Sequence, residues 1–77
     1  MKALSRENCR KARIFKNMSK KEVAHEIVWV HCIYVCSYDE NVDGTTIQRS
    51  ECMVAFELPS GDMDTTEVYK IQFIDLE

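Results

Sequence analysis

Glycine and proline are almost missing from this 77-residue chain, which has only Gly44, Gly61 and Pro59. Two isolated glycines cannot build a glycine-rich phosphate cradle, and no metalloprotease, kinase or hydrolase signature is present either. The chain also lacks a long apolar run. Ile27 to Cys36 is the longest nearly unbroken one, about half of what a bilayer-spanning helix needs, and it contains His31. The opening Met1-Lys2-Ala3-Leu4-Ser5-Arg6 has no apolar stretch behind its basic residue, so it does not read as a secretory signal, and no lipidation pattern closes the chain. The expectation is a cytoplasmic protein that does not associate with membranes.

What is there fits one small globular domain over residues 1–77. At 45% hydrophobic and 30% charged residues the chain is too apolar for a disordered tail and too charged for a membrane protein. A chain of this length buries a thin core shared by every element. Four cysteines, Cys9, Cys32, Cys36 and Cys52, invite a disulfide or zinc reading. Without an export signal free thiols are expected. On a strand, Cys32 and Cys36 stand about 13 Å apart, too far to share one metal ion. Buried cysteines acting as small hydrophobes are the simpler expectation, with no metal and no cofactor.

Charge is divided unevenly along the chain. Lys2, Arg6, Arg10, Lys11, Arg13, Lys16, Lys20 and Lys21 face the single acid Glu7, whereas from Glu22 onward only Arg49 and Lys70 are basic among many carboxylates. Such asymmetry hints at an interaction surface. Ser5 is an acceptable N-cap, and the Arg-, Lys- and Ala-rich stretch after it predicts a helix from about Arg6 to Asn17. Leu4, Ala12, Ile14, Phe15 and Met18 fall broadly on one side of that helix, with Arg6, Arg10, Arg13 and Lys16 opposite. Ser19-Lys20-Lys21-Glu22 has the spacing of a capping box and predicts a second short helix.

Farther on, Ile27, Val28, Val30, Ile33 and Val35 crowd β-branched residues around Trp29 and Tyr34, which predicts a strand from Ile27 to Ser37. Asp39 to Gly44 reads as a turn, Thr46 to Leu58 as a second strand, and Glu67 to Asp75 as a third after the Pro59-Ser60-Gly61-Asp62 turn. Pairing Cys32 with Cys52 puts Val28, Val30, Val54 and Phe56 on one face, to which Tyr69, Ile71 and Phe73 add. The predicted fold class is therefore α+β, with an N-terminal amphipathic basic helix and a second short helix packed on a three-stranded antiparallel β-meander.

Two function classes follow from this frame. The far face of the first strand would carry Trp29, His31 and Ile33, an apolar strip rimmed by charge, of the kind found at homodimer or partner interfaces. With the acidic turn residues Asp39, Glu40 and Asp43 it makes a candidate surface for a small non-enzymatic protein-binding module, an inhibitor or adaptor acting on a larger protein or complex. The alternative is a nucleic-acid-binding domain that lays Arg6, Arg10, Arg13 and Lys16 along phosphates. Net acidity and the lack of aromatics among those cations weigh against it. No catalytic residue is expected, since His31 and Cys32, adjacent on a strand, point to opposite faces. The Asp39, Glu40 and Asp43 cluster lacks the length and glycine placement of a calcium loop. His25, near an element boundary, fits a surface or boundary role.

Overall fold

The computed structural model describes residues 6–74, and over that range the protein is almost entirely β. Strands β1 (Arg10–Phe15), β2 (Val23–Val42), β3 (Thr45–Glu57), β4 (Met63–Glu67) and β5 (Ile71–Phe73) form one antiparallel sheet in the order β4-β3-β2-β1-β5. The first four strands are a meander. The chain then crosses back through a short 3-10 turn at Val68–Lys70, so that β5 closes against β1.

The helical part of the predicted α+β class is overturned. Arg10-Lys11-Ala12-Arg13-Ile14 alternates, with Ala12 and Ile14 buried against Val28 and Ile71. That two-residue period coexists with the helical one, and pairing on both sides with β2 and β5 selects it over helix propensity. Only a single 3-10 turn, Arg6–Asn8, stands where the helix was expected to begin. The expected second helix is also absent. Ser19 caps nothing: its backbone N–H donates to the Asn17 side chain at 3.2 Å, Lys20 takes a left-handed φ of 57°, and Lys16 N–H donates to the Glu22 carbonyl at 2.8 Å. Asn17 thus folds an Asx-type loop between β1 and β2.

The predicted three-stranded meander is corrected in number, length and register. The expected first strand lies inside β2, which runs well beyond it at both ends. The expected third strand breaks into the end of β4, the 3-10 turn and β5; Tyr69 is exposed on that turn, and Asp75 lies outside the described residues. Val30 pairs with Phe56 and not with Val54, although Val28, Val30, Val54 and Phe56 do share the buried face. At this end the slip is of two residues and keeps those side chains on their face, so parity alone could not detect it; beyond His31 it is of three, with Cys32 paired to Ala55 and Cys52 to Val35 instead of to each other.

The core consists of Ala12, Ile14, Val28, Val30, Val54, Phe56 and Ile71, flanked by Leu58, Val68 and Phe73. Val28 and Val54 are 0% exposed, although among the described residues no α-helix lies above them. Cover comes from partly buried Leu58, Val68 and Phe73, which pack against these residues where the chain turns after β3 and returns into β5. Phe56 fills the centre, its ring 6.1 Å from that of His25.

Candidate interaction surface

The sheet is unequal along its length. β1 leaves β2 at the pair Arg10 with Val30, and β4 leaves β3 at Met53 with Glu67. Beyond these points, from Cys36 paired with Glu51 to Val42 paired with Thr45, β2 and β3 have only each other. They form a two-stranded ribbon that, at ~3.3 Å per residue, carries Cys36 to Val42 about 20 Å outward. The molecule measures 47 × 36 × 22 Å with a radius of gyration of 14.7 Å. A compact domain of this length would have about 11–12 Å.

The tip is set by the Asp43-Gly44 turn, in which both residues have positive φ, 52° and 78°. This is the type I′ geometry that matches the twist of the flanking strands and that Asp-Gly favours. The turn is tighter than the Asp39 to Gly44 loop read from sequence: Asp39 and Glu40 are strand residues, and only Asp43 lies in the turn.

A bulge at His31 decides which side chains share a face. Val30 pairs with Phe56 and Cys32 with Ala55, so one extra residue of β2 is absorbed there and the inward-outward alternation changes phase. Trp29 lies on the outer face opposite Glu57, whereas Ile33, opposite buried Val54, lies on the core-side face. The expected strip of Trp29, His31 and Ile33 is therefore split. In its place are two surfaces. Ile33 and Val35 extend the core-side face into solvent, and Tyr34, Tyr38, Val42, Ile47 and Met53 line the outer face. Val35 is 65% exposed and Ile33 53%. On the outer face Arg49 forms an ion pair with Glu40.

Trp29 and His31 belong to a separate cluster at the ribbon's root. The Arg6 guanidinium lies over the Trp29 ring, 4.1 Å from its centroid, and donates to the Leu58 and Pro59 carbonyls at 2.9 and 3.0 Å and to the Glu57 carboxylate. His31 Nε2 is 3.1 Å from the other Glu57 oxygen. The Arg6 hydrogen bond, with help from His31, holds Glu57 below the usual glutamate range. Burial, and then the Glu57 charge, push the Cys9 thiol up, so Cys9 is a thiol at neutral pH and a poor nucleophile. This cluster fastens the N-terminal segment to the end of β3. The sequence held no signal for it, because Arg6 and Glu57 meet only through the sheet.

The predicted basic row is dispersed. Arg10 lies over the Phe73 ring at 3.6 Å, Arg13 Nε is 3.3 Å from Glu26 and Lys16 Nζ is 3.5 Å from Glu22. Arg13 Nε is shut off from water, and its approach to Glu26 is an ion-pair distance without hydrogen-bond alignment. The cysteines also depart from expectation: Cys9 is half-buried, and Cys32, Cys36 and Cys52 are exposed free thiols rather than core hydrophobes. Cys36 and Cys52 sit on opposite faces of the ribbon and cannot bridge each other.

Among the described residues there is no cavity, no convergent group of three His, Cys, Asp or Glu side chains able to hold a metal ion, and no helix long and apolar enough to cross a membrane. No family model, curated protein or solved structure matches the chain.

Proposed function

We propose that the protein is a small non-enzymatic binding module, an inhibitor or adaptor that presents the β2–β3 ribbon to a larger protein or complex in a reducing compartment. The observation that carries this reading is the ribbon itself, a hairpin with apolar and aromatic side chains exposed on both faces. An isolated two-stranded hairpin is marginal in water, and exposed apolar surface of this kind marks contact sites in soluble proteins. Asp39, Glu40, Asp43 and Glu51 against Arg49 make the ribbon acidic. A partner with a basic rim and an apolar centre fits it, with charge steering the encounter and tyrosines anchoring it. Three exposed thiols on β2 and β3 agree with a compartment that keeps cysteine reduced.

The nucleic-acid reading is kept as the alternative; what favours the ribbon over it is that no helix aligns Arg6, Arg10, Arg13 and Lys16 among the described residues and that each of those side chains has a contact within the chain. The test is capture from nuclease-treated lysate with the wild type, a Tyr34→Lys/Tyr38→Lys variant and an Arg10→Glu/Arg13→Glu variant. A protein retained by the wild type and the arginine variant, and lost with the tyrosines, is the expected result. Nucleic acid retained without nuclease and lost only in the arginine variant would replace this reading.

A further inference from the structure

Four strand edges are open among the described residues, and they differ in how well they are protected. β5 offers three residues, and β4 is short and carries Asp64 and Glu67. The free part of β3, Thr45 to Cys52, carries Arg49 and Glu51. Short length and charge are the usual ways a protein blunts an edge. The edge of β2 that faces away from β3 has neither protection. β1 leaves it at Val30, and from Cys32 to Tyr38 it has no charge, no glycine and no proline.

Every residue from Cys32 to Cys52 is exposed, so neither face of the ribbon is covered. A partner seated on one face would leave the other wet. A strand added to the edge widens both faces at once, setting its side chains beside Ile33 and Val35 on the core-side face and beside Tyr34, Cys36 and Tyr38 on the outer one. It also gives the long open edge its backbone partners and turns a two-stranded ribbon, marginal in water, into a three-stranded sheet.

The charge beside this edge dictates what the added strand must carry. Asp39 stands on the core-side face opposite Gln48, and its neighbours there, Ser37, Asn41, Thr46 and Ser50, are all uncharged. Glu40, on the outer face, is already ion-paired with Arg49. Asp39, and Asp43 in the turn, are thus left without an ion-pair partner among the described residues. The complement is a strand with Lys or Arg opposite Asp39 and apolar residues opposite Cys32 to Cys36. Running antiparallel to β2, like every pair in this sheet, such a strand carries its cation at the amino-terminal end.

Resting on the reading of the ribbon as a binding surface, we propose that the open edge of β2 from Cys32 to Asp39 takes an extended segment of a larger protein as a further antiparallel strand. That segment begins with Lys or Arg opposite Asp39 and continues with β-branched or aromatic residues. Backbone hydrogen bonds supply the attachment, and the cation fixes direction and register.

The probe is the synthetic peptide Lys-Thr-Lys-Tyr-Thr-Val-Ile-Val-Thr with blocked ends, titrated calorimetrically into the full chain. In the proposed register its second lysine falls opposite Asp39 and its isoleucine opposite Val35. Two N-methylated forms, one on each alternate set of amides, show which side of the peptide is paired. The expected result is binding that one form keeps and the other loses by about a hundredfold, with amide exchange slowed from Cys32 to Tyr38. Asp39 is exposed, and circular dichroism checks that Asp39→Lys keeps the fold. This variant weakens binding about tenfold and restores it for a peptide with glutamate in place of both lysines. Equal effects of the two methylations, or binding without protection of Cys32 to Tyr38, would put the peptide on a face and overturn edge pairing. Binding that Asp39→Lys leaves unchanged overturns it too. A two-chain mass of the protein alone by sedimentation equilibrium, with the same amides protected as concentration rises, gives the edge to a second copy and also overturns the proposal. If no form of the peptide binds, the edge proposal falls. Capture of a protein from lysate through Tyr34 and Tyr38 then leaves the binding-module reading standing, and its failure removes both.

Discussion

The two ends of β2 are built from similar residues and live in different worlds. Val28 and Val30, at the root, are sealed by β1, β3 and the returning β5; Ile33 and Val35, a few residues on, stand in solvent past the end of β1, where the sheet narrows to three strands and then to two. The residue types do not differ, since both stretches are β-branched and both alternate with aromatics. What differs is the number of neighbouring strands. The core face is covered only where Leu58, Val68, Ile71 and Phe73 pack onto it, so burial follows the arrival of distant segments and not local hydrophobicity.

Substitutions at the two ends should separate them sharply. Phe56→Ala, in the centre of the core, is expected to cost about 3–5 kcal/mol, enough to unfold a domain of this size, whereas Tyr38→Ala on the ribbon stays within about 0.5 kcal/mol. Urea denaturation of both variants measures the contrast, and equal losses would mean that ribbon and core are one packed unit.

A smaller effect probes the ribbon alone. Gly44→Ala forces a side chain into a left-handed position at φ 78° and costs about 1–2 kcal/mol. If the ribbon opens independently of the core, amide exchange quickens from Tyr38 to Gln48 while Val28 and Val54 keep their protection. Uniform loss across all of them would join the two regions.

The junction gives a change smaller than that at the turn. Arg6→Ala removes the ring contact with Trp29 and the hydrogen bonds to the Leu58 and Pro59 carbonyls, worth about 1 kcal/mol in this partly exposed setting. It also changes the pH profile. Glu57 is held below the usual glutamate range, so its contribution is complete at neutral pH and is lost as pH falls below that range through the lowered value. Thermal unfolding from pH 7 downward should show a shallower acid-side loss in Arg6→Ala than in the wild type, and parallel curves would remove Arg6 as the cause.

Much of the sheet was legible. Val28, Val30, Val54 and Phe56 could be assigned to one buried face because a strand's two-residue period survives any even register error. The Asp43-Gly44 dipeptide carried its turn type in its residues. The helix was misread because Arg10 to Phe15 satisfies both periods, and only its position between β2 and β5 chooses between them. The interaction surface was misdrawn for a different reason. A single bulge at His31 moved Ile33 to the other face from Trp29, and a bulge has no reliable local signal when no glycine marks it.

By itself the sequence determined the strand character of the central stretch, the membership of the core face, the tip of the hairpin and the division of charge between the N-terminal segment and the rest. These depend on side-chain shape, alternation and composition, which are local. Only the tertiary structure decided that the basic segment is a strand, that Arg6 is fastened to Glu57 and Trp29, and that half of an apolar strand is left outside the core. Each of those outcomes depends on which distant segment arrives alongside, a matter of chain topology that no short stretch of residues contains.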